Sequence, residues 1–394
     1  MSLIDTKRDG EKATIFLKGH IDSNNAADVE AEIRAFLEDS GTVKLTIDAD
    51  ELEYISSAGL RIILRLRKEY PDLSIINVCK DVYEVFEMTG FTEMVSIQKA
   101  YRRISVEGCE VIGQGANGKV YRIDPDTIVK VYLDSDSLPD IERERELARK
   151  AFVLGIPTAI PYDVVRVDQS YGSVFELLNA KSFIKLIIED PSRVDEVVRM
   201  SVDLLKKIHE TVVRPDDMPD MKAIAVDWAE YLQDYLPEDE FQKLHALITA
   251  VPDDNHMMHG DYHLKNVMLQ GDEALLIDMD TICRGHPVFE FASVFNAYKG
   301  YIELEPGDFN HFLGIPVATC NEIYEKTLQY YFDDKTPEEI AEISKKAQIV
   351  GYTRIMRRTI RRGGLDDEKG RGQIECCRKH LHELLAEVDS LLWD

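Results

Sequence analysis

The run His259-Gly260-Asp261-Tyr262-His263-Leu264-Lys265-Asn266 constrains this chain most, because a hairpin pattern comes directly after it. Val267-Met268-Leu269 has strand character, Gln270-Gly271-Asp272-Glu273 supplies a turn, and Ala274-Leu275-Leu276-Ile277 supplies a second strand that ends at Asp278. A hairpin with nearly matched arms returns Asp278 to the side of Asn266. Two oxygen-bearing side chains at the open end of one hairpin suit a hard cation such as magnesium, which takes few protein ligands and completes its shell with phosphate oxygens and water. Asp261, on the preceding loop, is then placed to act as a base. His259 reads as a packing residue of the loop. His256, His259 and His263 lie too close together within one loop to read as a zinc set. Lys265 either neutralises an anionic group or sits in solvent. Asp280, two residues beyond Asp278, either assists the cation or caps the next turn.

A second constraint lies upstream, in Glu110-Val111-Ile112-Gly113-Gln114-Gly115-Ala116-Asn117-Gly118-Lys119-Val120-Tyr121. The spacing of Gly113, Gly115 and Gly118 lets a backbone approach anionic oxygens without a Cβ in the way. A dinucleotide-binding loop of this pattern must open a helix. Here Val120-Tyr121-Arg122-Ile123 continues as a strand into an Asp124-Pro125-Asp126 turn, so a strand–loop–strand hairpin is expected, lying over phosphates or serving as a plain glycine-rich turn. The next strand, 127–132, sets Lys130 between apolar neighbours, where its charge is costly without an anionic partner. A helix over 140–151 offers Glu142, Glu144 and Glu146. Glu144 lies one turn before Leu147, Ala148 and Ala151 and is the one expected to face inward; the alternative is that all three lie on a solvated face. Strands at 162–166 and 173–177 come next, and the segment Glu176-Leu177-Leu178 is placed as a hinge whose backbone could hold adenine.

Residues 1–100 have a different character. Strands are expected at 13–18, 43–47 and 73–78, helices at 26–37 and 57–69, and a third helix capped by Asp81 and ended by Gly90. This order implies a small α/β domain with a helix-covered sheet. It contains no acid–base pair, metal cluster or nucleotide loop, and reads as a binding module. In Tyr54-Ile55-Ser56-Ser57-Ala58-Gly59-Leu60 two serines sit at a strand-to-helix junction. Either one merely caps the helix, or a phosphate is accepted there, held by free N–H groups and the helix dipole beside Asp48, Asp50, Glu51 and Glu53.

Nearly all of residues 1–100 resembles the STAS family, the fold of anti-sigma factor antagonists. The resemblance rests on Gly19-His20-Ile21-Asp22, on Ile55-Ser56-Ser57-Ala58-Gly59-Leu60, and on Val85-Phe86 with Thr89-Gly90-Phe91. It implies that Ser57 is a phosphoacceptor and that the domain meets a protein partner, although the family often has Asp where this chain has Ser56. Residues 108–292 resemble the aminoglycoside phosphotransferase and choline kinase group of the protein-kinase-like superfamily, with glycine loop, lysine strand, glutamate helix, His259-Gly260-Asp261 through Asn266, and Ile277-Asp278 in the family's order. That resemblance implies an α+β two-lobed kinase-like fold after the STAS-like domain, with a small lobe over 101–180 and a large lobe over 181–394. It also implies ATP and magnesium as cofactors. Lys130 with Glu144 would hold the phosphates, Gly113, Gly115 and Gly118 would shape the loop over them, Asn266 and Asp278 would hold the metal, and Asp261 would be the base. The acceptor would be a small-molecule alcohol, aminoglycoside- or choline-like. Met279 stands where the family often has an aromatic residue, and Glu290-Phe291-Ala292 where it commonly has Asp-Leu-Ala. Two further readings stay open: a protein kinase acting on Ser57, and a nucleotide-binding scaffold without turnover.

Composition narrows the partners. The formal charge of −26 disfavours nucleic acid and anionic membranes and would suit a cationic substrate or a basic protein. No stretch of 18 apolar residues occurs, and the first twenty residues are too charged for a signal peptide. The six cysteines show no CxxC spacing, which together with the charged start points to a reducing, cytoplasmic setting. The polar stretch 98–106 reads as a tight junction. The remainder reads as helical, with helices at 195–205 and 337–349 and a final one at 376–392. The locally basic run Arg354-Ile355-Met356-Arg357-Arg358-Thr359-Ile360-Arg361-Arg362 reads as one solvated basic helix face, with a phosphate or partner clamp as the alternative.

Overall fold

The computed structural model describes residues 2–38, 44–114, 118–133, 138–304 and 307–393. The chain divides into two compact units, Met1–Ile104 and Ser105–Asp394. Each has its own apolar core, and the two cores share no residue.

The first unit runs β1 (Ile4–Asp9), β2 (Lys12–Ile21), α1 (Ala26–Leu37), β3 (Lys44–Ile55), α2 (Ser57–Glu69), β4 (Ser74–Val78), α3 (Lys80–Met88), β5 (Ser96–Lys99) and β6 (Arg102–Ile104). Its five-stranded sheet has the order β1-β2-β3-β4-β5. β1 and β2 are antiparallel; β2, β3, β4 and β5 are parallel. Pleat alternation turns Ile15 and Leu45, Ile47 and Ala49 inward, and α2 lays Leu60, Ile63 and Leu66 on that core. Gly59 is required where α2 meets β3, since a Cβ there would stand 2.6 Å from Ile55 Cγ1. The edge strand β1 is absent from the sequence reading, because Ile4 is its one buried residue among charged ones. So is β5, whose Ser96 and Lys99 are exposed. Asp81 is not the cap of α3. Cys79 occupies that position and Asp81 lies in the first turn, where its charge still complements the dipole.

The second unit opens with β7 (Glu110–Gln114), β8 (Gly118–Asp124), β9 (Thr127–Tyr132), α4 (Leu138–Val153), β10 (Pro161–Val167) and β11 (Ser170–Glu176). These strands lie in the order β10-β11-β9-β8-β7, all antiparallel, with α4 packed on β10 and β11. The rest is mainly helical: β12 (Lys181–Ser182), α5 (Phe183–Glu189), α6 (Val194–Glu210), α7 (Met221–Tyr231), α8 (Glu238–Thr249), β13 (Met257–Met258), β14 (Val267–Gln270), β15 (Glu273–Leu276), β16 (Cys283–Arg284), α9 (Val288–Phe295), α10 (Tyr301–Leu304), β17 (Phe309–Asn310), β18 (Ile315–Pro316), α11 (Val317–Tyr331), α12 (Pro337–Arg361) and α13 (Glu368–Glu387). A capping box between Thr336 and Glu339, with Pro337 in the first turn, fixes where α12 begins. α12 packs along α9 and α13 and touches α7. It therefore carries one side chain of the basic run, Arg354, to the loop that bears Asp261.

Candidate active site

β9 and α4 meet at a buried ion pair. Lys130 Nζ lies 2.9 Å from Glu144 Oε1 and 2.8 Å from Asp278 Oδ1. Glu144 is 4% exposed, and its other oxygen accepts a hydrogen bond from the Tyr132 hydroxyl. Burial works against the charge on Lys130, but Glu144 and Asp278 overcome it and hold the ammonium well above its usual range. Lys130 thus joins the β-rich lobe to the hairpin of the helical lobe. Of the three expected glutamates, Glu144 faces inward, Glu146 pairs with Arg149 at the surface and Glu142 is exposed.

Of the three glycines, Gly118 is enforced by its neighbours: a Cβ there would lie 2.2 Å from the carbonyl oxygen of Val131. At Gly113 the same atom would make ordinary contact with Val120. Gly115 lies outside the described residues. At the expected hinge, the Leu177 N–H is already donated to Asp126 O at 2.8 Å.

β14 and β15 form the expected hairpin, with Val267 opposite Leu276 and a two-residue turn in which Gly271 has φ +62°. At its open end the Ile277 N–H donates to Asn266 O at 2.9 Å, which fixes Asn266 and Asp278 side by side. Asp278 itself takes φ 61°, a left-handed conformation that few non-glycine residues adopt and that recurs at functional sites. The Asn266 amide nitrogen donates to Asp261 O at 3.1 Å, leaving its oxygen as the atom with ligand character. Around Lys130 stand Glu144, Asp278 and Asp280. The Asp280 carboxyl is pushed up to about 7, first by desolvation and then by Asp278 and Glu144. This excess of carboxylate over cation, with hard oxygen donors at the hairpin end, fits a divalent ion whose remaining ligands come from phosphate and water. Among the described residues no group of three or more His, Cys, Asp or Glu side chains is arranged to hold a metal by itself, the clustered histidines included.

The loop bearing Asp261 is held from beneath. Gly260 has φ +78°, and a Cβ there would stand 2.4 Å from Thr281 O. The N–H groups of His259 and Gly260 donate to Glu290 Oε2 at 2.6 Å and Oε1 at 3.0 Å. Glu290 is fully buried on α9. Burial disfavours its charge, but the His209 hydrogen bond, the His209 and His259 charges and the His259 N–H hold its carboxyl below the usual range. His259 packs in the loop, its Nε2 3.3 Å from Ile277 O. Lys265 points away to Phe312 O at 3.0 Å.

Asp261 is open over 44% of its side chain, yet enclosed by protein on its other sides. Arg354 Nη2 lies 3.6 Å from Asp261 Oδ1 and His263 Nε2 lies 3.6 Å from Oδ2. Desolvation opposes the Asp261 charge, and the His263 hydrogen bond with the Arg354, His263 and His259 charges more than offsets it, so the carboxyl sits below its usual range. An ionised, accessible carboxylate beside a metal-compatible hairpin can take a proton from a hydroxyl. The basic run, expected as one solvated face, is divided. Arg354 donates to Gly260 O at 2.9 Å, Arg357 pairs with Asp227, and Arg358 donates to the Tyr301 hydroxyl. Arg354, Glu290 and His263 are the residues that sequence reasoning missed as parts of the site. Glu290 is visible in the sequence only as the acidic member of Glu290-Phe291-Ala292.

This arrangement defines the class: a β-rich lobe whose lysine, paired with Glu144, reaches Asp278 of a helical lobe bearing an Asp loop and an Asn–Asp hairpin, as in small-molecule kinases. The model of the phosphotransferase enzyme family matches residues 108–312, and the chain belongs to that family. The STAS domain model matches residues 4–104. Over 85 residues the chain is 38% identical to a protein described as a putative anti-sigma factor antagonist, BtrV, of Bordetella bronchiseptica, covering 21% of this chain and 72% of that one. Among solved structures, ADP-bound aminoglycoside phosphotransferase APH(2'')-Ib is 15% identical, with 77% of this chain and 96% of that chain covered at a TM-score of 0.48. A choline/ethanolamine kinase family protein from Mesorhizobium loti is 16% identical, with 72% and 89% covered at a TM-score of 0.45. Among the described residues no helix is long and apolar enough to cross a membrane.

Proposed function

We propose that residues 105–394 transfer the γ-phosphate of ATP to a hydroxyl of a small molecule, with Asp261 as base. The observation that carries this reading is the ionised Asp261 carboxylate, open to solvent on one side and fixed through Asn266 to the hairpin that bears Asp278. Asp261 would receive the proton of the acceptor hydroxyl as that oxygen bonds to the γ-phosphorus and the bond to the ADP oxygen breaks. Lys130, kept in place by Glu144, would exchange its contact with Asp278 for α/β-phosphate oxygens. Asn266 and Asp278 would hold magnesium, which when bound neutralises charge developing on the phosphate oxygens. Gly113, Gly115 and Gly118 would bring the loop backbone over the phosphates. Arg354 would keep Asp261 ionised and oriented. The chemistry is positioning plus electrostatics, so small displacements of these groups cost much rate.

For the N-terminal domain, the family supports a protein partner met near Ser56 and Ser57. Ser56 caps α2 through Ala58 N–H at 3.2 Å, while Ser57 is exposed on its first turn, where a phosphate would meet free N–H groups. The reading of the second domain is tested by ADP formation from MgATP over a panel of small alcohols. Wild type is expected to respond to at least one, and Asp261→Asn to respond at least 100-fold less with an unchanged KM for ATP. Equal turnover by Asp261→Asn would remove Asp261 from the reaction.

A further inference from the structure

A cavity of about 210 Å³ opens against the loop that carries Asp261. Gly260 and Arg354 belong to its wall, and both are bound to the Asp261 loop: Arg354 Nη1 donates to Gly260 O at 2.9 Å while Nη2 lies 3.6 Å from Asp261 Oδ1. A molecule in this cavity therefore lies against the loop that carries the proposed base and against the arginine that pairs with it. Part of the wall is apolar, formed largely by Met221, Ile224 and Trp228 of α7. The charged residues of the wall are Arg143, Arg354 and Asp280.

The balance of those charges is the informative part. The chain has 73 acidic and 47 basic residues, so a wall drawn from it without selection would favour carboxylates. This wall has two guanidiniums to one carboxylate; Arg354 is shared with Asp261 behind it, and Arg143 is the cation left over. The Arg354 guanidinium stands 5.5 Å from the centre of the Trp228 ring and covers the face on which an ammonium or quaternary amine would otherwise dock. Arg143 projects from α4 one residue before the buried Glu144, is exposed, and makes no ion pair with a described residue. Planar guanidiniums of this kind match carboxylate and phosphate oxygens in pairs.

We propose that this cavity is the acceptor pocket and that it takes a small hydroxy compound bearing an anionic group, carboxylate or phosphate, held by Arg143 and Arg354, and not the cationic amino sugars or amino alcohols implied by resemblance. The proposal rests on the phosphotransfer reading for the word acceptor; the charge preference of the pocket is separable from it. Trp228 supplies the readout, because the chain's other tryptophan, Trp393, packs away from the cavity against His286 and Phe332. Full-length protein is titrated with glucose, glucosamine, gluconate and glucose 6-phosphate while tryptophan fluorescence is followed. The expected result is half-saturation by gluconate or glucose 6-phosphate at least 10-fold below glucosamine, with the preference lost in Arg143→Glu. Tighter binding of glucosamine, four indistinguishable ligands, or an unchanged preference in Arg143→Glu would overturn the proposal. ADP formation from MgATP is measured with the same four compounds. The anionic order of binding without any ADP formation would support the pocket's selectivity and count against the phosphotransfer reading.

Discussion

The residues of the site fall into those whose charge is used and those that keep it usable. Lys130 and Glu144 illustrate how unequal the two partners are. Removing the lysine strands a carboxylate that is 4% exposed, so Lys130→Ala is expected to cost about 3–5 kcal/mol, read as a lowered unfolding midpoint in urea, besides abolishing ADP formation. Glu290 works at one remove. It binds the His259 and Gly260 N–H groups, and Glu290→Gln is expected to cost about 1.5–3 kcal/mol with kcat reduced and the KM for ATP little changed. That cost carries a pH signature. The folded-state carboxyl lies below its ordinary value of 4.5, so its contribution is present above that pH and is lost as pH falls through the folded value. His209 and His259 are the groups that face it. The stability gap between wild type and Glu290→Gln should therefore be widest near neutrality and narrow below about pH 4.5, as measured by denaturation at a series of pH values. A gap that widened in acid would contradict the assignment.

At the scale of elements, the hairpin β14–β15 and the loop before it behave as one device, because Ile277 N–H, Asn266 and Gly260 are tied by backbone bonds and close approach. Gly260→Ala must clear Thr281 O, which would stand 2.4 Å from the new methyl, and must also hold φ +78°. We expect it to lose acceptor-stimulated ADP formation by at least 100-fold. Gly113→Ala, which meets only Val120 side-chain atoms at ordinary distances, should be tolerated in folding and change turnover only through the phosphate loop. Melting temperature and kcat measured on both variants check the contrast. The same elements show what was legible beforehand. A lysine between apolar neighbours demands a partner, and a glutamate one turn from a packed helix face supplies it, so Lys130 and Glu144 could be paired from the sequence. The Asn266–Asp278 juxtaposition comes from matched strand lengths. Arg354 was illegible for a physical reason: it lies 94 residues beyond Gly260, and a run of arginines does not reveal which one turns inward until α12 is packed on α9 and α7. The edge strand β1 was hidden because an edge exposed to solvent carries charges instead of alternation.

On the scale of the whole molecule, two separate cores predict two separable unfolding events. Both tryptophans, Trp228 and Trp393, belong to the second unit, so fluorescence should follow that unit alone while circular dichroism follows both. MgATP should raise the fluorescence-detected transition and leave the other unmoved, since a ligand stabilises only the state it binds. Ile15→Ala, which empties a fully buried position in the first core, should do the reverse and lower only the transition seen by circular dichroism, by about 2–5 kcal/mol. A single coincident transition that shifted under both perturbations would show the units to be energetically coupled.

Arg354 stands outside the 108–312 stretch by which the family is recognised, on a helix whose start is set by the Thr336–Glu339 capping box. If the proposed pocket holds the acceptor, changes on α7 could alter the guest while the glycine loop, Lys130, Glu144, Asn266 and Asp278 stayed as they are. Two proteins alike in all their signature residues could for that reason nourish quite different metabolic needs.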